Sequence, residues 1–142
     1  MRTIVTGRGG DGRSTVVRIE EVSDAAAAEV MASTVWRTEV SPPPAPGPPW
    51  PDPPLDVGCP ATGTIWRLVR MPAGYEFGRH RTETLDYDTL VAGTLQLVLE
   101  AGSVDLSPGD CVVLPGVPHA WRAGPAGATL NVVMTGLGPP GP

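Results

Sequence analysis

Two histidines, His80 and His119, occur in the 142-residue chain, and both lie in its strand-rich second half. Alternate side chains of an extended segment share a face. His80, Thr82, Thr84 and Asp86 therefore line one side of residues 80–87, and Arg81, Glu83, Leu85 and Tyr87 line the other. If the first side faces a barrel interior, His80 and Asp86 converge inside it. His119 follows a proline–glycine turn and opens another extended stretch, with Trp121 on its own face. Two imidazoles and one carboxylate suit a divalent metal with positions left open for water or substrate. Without a metal, the same imidazoles are an acid and a base near neutral pH.

The elements that must position these groups are short strands. Thr3–Thr6 and Thr15–Glu20 read as strands around the turn-rich Gly7–Arg13, and Ser23–Met31 as the one helix, with Ser23 as N-cap. Val35–Val40 looks extended. Beyond Gly63, strands are expected at Thr64–Met71, at Leu90–Thr94 continuing through Leu95–Glu100, and at Val104–Leu106. Cys111–Leu114, His119–Arg122 and Thr129–Thr135 complete the set. The turns between them, including Ser107-Pro108-Gly109-Asp110, point to an antiparallel sandwich or barrel. Ten of the eighteen prolines fall between Pro42 and Pro60, a stretch that reads as a linker or as a loop covering a site mouth. The organisation expected is a strand extension at 1–41, a Pro-rich loop at 42–60, a barrel at 61–136 and a flexible tail at 137–142.

Composition removes several classes of function. Glycine and proline number 18 each, which disfavours a helical bundle. Ten arginines, no lysine and a formal net charge of -5 argue against nucleic acid, whose binding rests on neutralising phosphates. Without lysine there is no Schiff base and no phosphate-binding P-loop, despite Gly7, Gly9, Gly10 and Gly12. Cys59 and Cys111 match no metal spacing. With no apolar run of membrane-spanning length and no signal-peptide pattern, a cytoplasmic protein without membrane contact is expected.

Two segments carry a resemblance. Gly78-x-His80-x-Thr82-x3-Asp86-x6-Gly93 resembles the first cupin motif, in which a glycine precedes His-x-His, an acid and a further glycine. Pro108-Gly109-Asp110 with Pro115-Gly116-Val117-Pro118-His119 resembles the second motif, which ends on the last ligand histidine, and Leu95–Leu106 fits the hairpin between the two. The chain is further similar to small single-domain cupins that carry an HRT-x-T-x-DY sequence, here His80–Tyr87, and an HAW ending, here His119-Ala120-Trp121. Val35-Trp36-Arg37-Thr38 and Gly63-Thr64-Ile65-Trp66-Arg67 extend that similarity. Two departures stand out: Thr82 replaces the second ligand histidine, and Asp86 stands where glutamate is usual. The second motif is also one residue shorter.

The resemblance implies an all-β cupin jelly-roll β-barrel with an N-terminal strand extension, forming a homodimer. It implies a metal-dependent lyase of decarboxylase or dehydratase type acting on an oxygenated aromatic or polyketide-like intermediate. The ion (Fe, Zn, Mn or Ni) would be held by His80, Asp86 and His119; a metal-free pocket stays open as the alternative. His119 and His80 are the catalytic candidates. Thr82, Thr84, Trp66, Trp121, Arg67 and Arg79 are candidates for the substrate pocket, with Arg70 a further choice for pairing a substrate carboxylate. A non-haem iron oxygenase and a non-catalytic ligand-binding cupin are the competing readings.

Overall fold

The computed structural model describes residues 1–21 and 59–138. The expected helix at Ser23–Met31, the extended stretch at Val35–Val40 and most of the proline segment lie outside the described residues. Eight strands follow one another among the described residues, with no helix: β1 (Arg2–Arg8), β2 (Ser14–Glu21), β3 (Thr64–Met71), β4 (Glu76–His80), β5 (Thr84–Leu99), β6 (Gly102–Leu106), β7 (Cys111–Pro115) and β8 (His119–Gly136).

Two long strands organise the rest. The first half of β5 pairs with β7 and with the second half of β8, while its second half pairs with β6 and with the start of β8. The main sheet runs β2-β1-β7-β5-β8-β3, with β4 on β8 and β6 on β5. Sequence reading splits β8 into two strands; the structure joins them, because the ladder to β5 continues through the irregularities at Leu90/Ala92 and Gly93/Leu95. A corner forms there. Gly93 has φ +82°, and a Cβ on it would stand 2.0 Å from the Gly127 carbonyl oxygen, so only glycine admits this approach. The sheet is mixed rather than purely antiparallel, since β1 adds to β7 in parallel.

Alternation fixes what each strand buries. Along β3, Ile65, Arg67, Val69 and Met71 are more buried than Trp66, Leu68 and Arg70. Along β5 the inward set is Thr84, Asp86, Asp88 and Leu90, resuming with Leu95, Leu97 and Leu99. Ile4, Leu90, Leu97, Val112, Leu114, Trp121 and Leu130 belong to one buried cluster, so both halves of the long strands close on a shared core. Each such aliphatic side chain contributes about 1.5–3 kcal/mol by leaving water.

The N-terminal strand is tied down by charge. Asp110 accepts from the Arg2 backbone N–H at 3.1 Å, from Arg2 Nε at 3.2 Å and from the Ser107 N–H at 2.9 Å, and it pairs with the second Arg2 guanidinium nitrogen. Burial pulls the Asp110 carboxyl upward, but these donors outweigh it and hold the group below its ordinary value.

Candidate functional site

The site is built where β4, the start of β8 and the start of β5 meet. In the β4–β8 ladder Phe77 lies opposite Trp121 and His80 opposite His119, with an irregularity between the two pairs. Two residues of β4, Gly78 and Arg79, stand against one of β8, and this one-residue excess is a bulge that brings His80 opposite His119. The result is a row of rings: Phe77 to His80 at 4.4 Å between centroids, His80 to His119 at 4.3 Å, and His119 to Trp121 at 5.6 Å. Two residues far apart in sequence thus form one imidazole pair.

Both imidazoles are oriented the same way. His80 Nδ1 lies 2.9 Å from the Gly78 carbonyl, and His119 Nδ1 lies 2.9 Å from the Val117 carbonyl. A carbonyl oxygen can only accept, so each Nδ1 carries the hydrogen and donates it. In the neutral ring Nε2 then holds the bare lone pair, the tautomer that binds a metal or takes a proton. His119 is 3% exposed. Burial drives its pKa down to about 4, against the Val117 carbonyl and with the help of neighbouring His80. It is therefore neutral at physiological pH.

The carboxylates come from β5. Asp86 is buried, and burial raises its pKa; the hydroxyls of Thr84 and Thr82 and the proximity of His80 oppose that rise. Thr84 donates to Thr82 Oγ1 at 2.7 Å, and Thr82 donates to Asp86 Oδ2 at 3.4 Å. Asp86 Oδ1 is buried with no hydrogen-bond partner among the described residues. The turn carrying His119 packs against the same segment: a Cβ on Gly116, at φ +62°, would lie 3.2 Å from the Thr82 carbonyl oxygen.

Several expectations change here. Residues 80–86 are not one strand; pairing breaks over 81–83, so His80 belongs to β4 and Asp86 to β5. Trp66 is 76% exposed and bonds Asn131, whereas Arg67 beside it lies on the more buried face of β3. Arg79 is exposed and acts on Glu100, and Arg70 is exposed as well. Both side chains lie on exposed positions of their strands. Trp121, 4% exposed, walls the His119 ring.

Sequence reasoning missed Asp88. It is buried, its Oδ1 lacks a partner among the described residues, and burial together with Asp86 pushes its pKa well above the ordinary carboxylate range. Extending the alternation of β5 by two residues reveals it. Cys59 also stands near: its thiol donates to the Gly63 and Met134 carbonyls at 3.4 and 3.6 Å. Burial raises the thiol, as does the charge of Asp86.

The donors suit a divalent ion in kind: two imidazoles in the ligating tautomer and an orphaned, buried carboxylate oxygen. Among the described residues, no three His, Cys, Asp or Glu side chains are gathered tightly enough to be a ready-made metal cluster. His80 and His119 stand together, and Asp86 is not gathered into a three-donor cluster with them.

The cupin domain of Schizosaccharomyces pombe Cnp3 superposes on this chain with a TM-score of 0.50 at 16% identity, over 58% of this chain and 57% of that one. The fold is that of a cupin domain. A 61-residue stretch, 42% of this chain, is 41% identical to phomopsin biosynthesis cluster protein C' of Diaporthe leptostromiformis and covers 32% of it. A 60-residue stretch is 33% identical to the cupin-domain-containing oxidoreductase fogC of Aspergillus ruber, covering 42% of this chain and 30% of that protein. The chain spans about a third of the length of the curated relatives it matches. No family model matches it. No helix among the described residues is long and apolar enough to cross a membrane.

Proposed function

We propose that this cupin is a small-molecule enzyme of secondary metabolism, a lyase of decarboxylase or dehydratase type acting on an oxygenated aromatic or polyketide-like compound. The observation that carries this reading is the shared tautomer of His80 and His119. Both rings give their Nδ1 hydrogen to a backbone carbonyl, which leaves the lone pair on Nε2. His119 is held neutral by burial, as a base or a ligand must be. Similarity to a protein of a biosynthesis cluster and to a cupin oxidoreductase supports the metabolic setting.

His80, His119 and Asp86 would hold a divalent ion, which supplies Lewis acidity toward a carbonyl or carboxylate oxygen when bound. The chain's own contributions follow from the geometry. Trp121 and Phe77 flank the imidazole pair at its two ends. Arg67, on the inner face of β3, offers a fork to a substrate carboxylate. If no ion is held, the bare Nε2 of neutral His119 would take a substrate proton, and the adjacent His80 would return one only from its protonated form, with hydrogen on both ring nitrogens.

The test is a panel of aromatic hydroxy acids supplied with Fe(II), Zn, Mn or Ni and followed by mass spectrometry. Loss of carbon dioxide or water that disappears in His119→Ala and His80→Ala supports the reading. A second reading, oxidoreductase, is favoured by the name of the Aspergillus ruber relative; a product that has gained oxygen or lost hydrogen would replace the first with it. Tight ligand binding without turnover would leave a binding module.

A further inference from the structure

The two outer faces of the barrel differ in kind. On one, Glu76, Arg122, Gln96 and Asp105 follow one another across β4, β8, β5 and β6. Arg122 Nε lies 3.3 Å from Glu76 Oε1, and Gln96 Nε2 donates to Asp105 Oδ1 at 2.9 Å, a polar surface suited to water. The other face is formed by β3, the second half of β8 and the first half of β5. There Trp66 stands opposite Val133, and Val133 opposite Tyr87, with Leu68 beside them on the same side. Trp66 is 76% exposed and Leu68 52%. The Trp66 indole N–H is bonded to Asn131 of the adjoining strand, so what the ring offers outward is apolar. Among the outward side chains of these three segments one is charged, Arg70 at the end of β3.

We propose that the face centred on Trp66 and Leu68 is an interface that a second copy of this chain occupies. Charge selects the occupant. The chain has a net charge of -5, so two copies repel wherever acid meets acid, and the strands of this face present none. Glu83, just ahead of β5, is paired with Arg81. A contiguous apolar patch of this kind marks an interaction site, and loss of charge around an aromatic anchor is the composition of an interface core. A two-fold axis makes the face its own complement, with Trp66 of each copy packed on Leu68 of the other. The exposed Val17 of β2 does not compete as a centre. It lies on the opposite edge of the sheet, beside Arg18, Glu20 and Glu21, where a second acidic copy would meet acid.

The experiment is sedimentation velocity over a concentration series, on the full chain and on Trp66→Ser, Leu68→Glu and Val17→Glu, with circular dichroism to show that each variant folds. The wild type should dimerise. Trp66→Ser and Leu68→Glu should each raise the dimer dissociation constant about ten-fold or more, as loss of a central anchor does. Val17→Glu should leave it unchanged. If Trp66→Ser does not fold, Leu68→Glu decides alone. A wild type that stays monomeric at every concentration overturns the proposal. So does a dimer that survives the face substitutions, or one that Val17→Glu breaks, which would move the interface to β2. A monomer that binds phosphatidylcholine vesicles, and loses that binding in Leu68→Glu, would give the face to a lipid surface instead and overturn the proposal as well.

Discussion

The depressed pKa of His119 makes the cupin barrel sensitive to acid in a calculable way. His119 moves from 6.5 to about 4 on folding, chiefly through burial. As pH falls below 6.5 the unfolded chain binds a proton there and the folded chain does not until about 4. Stability from this group is therefore complete above pH 6.5 and is lost as pH drops toward 4. With each pKa unit worth 1.36 kcal/mol, the loss between pH 7 and pH 4 is about 3 kcal/mol. Asp86 and Asp88 work in the opposite sense. Their raised values mean that the folded state takes up protons first on acidification, which relieves the cost of burying their charge. The His119 contribution is isolated by urea unfolding of wild type and His119→Asn at both pH values, in chelator. Asn keeps an amide hydrogen for the Val117 carbonyl and does not titrate. The wild type should lose about 3 kcal/mol more than the variant. Equal losses would refute the buried, neutral imidazole.

Other consequences are as direct. Asp88→Asn removes a buried carboxylate whose Oδ1 has no partner among the described residues, so it should raise urea stability at pH 7 by about 1–3 kcal/mol. That gain should shrink on acidification; a loss at pH 7 would mean that Asp88 is held as a needed charge. Asp110→Ala leaves Arg2 and the Ser107 N–H without their acceptor and should cost about 2–3 kcal/mol, read from the same unfolding curves. An unchanged midpoint would show that β1 docks without the ion pair. The chain should sediment as a homodimer, and a clean monomer at all concentrations would contradict that.

Much of the strand order was legible because β-branched runs and glycine turns carry local signals; β3, for example, spans Thr64–Met71 as read from sequence. The two imidazoles could be chosen because the chain has no others. The face of Asp86 followed from alternation, and the same rule carried two residues further gives Asp88. What was not legible depends on contacts distant in sequence. The parallel docking of β1 on β7 is accompanied by the Arg2–Asp110 pair, 108 residues apart. The break at 81–83, which lies against the Gly116 turn, is announced by no periodicity. Trp66, offered as an aromatic pocket wall, lies on the exposed face of β3.

Elemental analysis of the purified protein, beside His80→Ala and His119→Ala prepared in parallel, tests the central claim most directly. The account predicts a stoichiometric divalent metal in the wild type that falls to trace in both variants. The same trace content in all three proteins, unchanged after incubation with Fe(II), Zn, Mn or Ni, would contradict it.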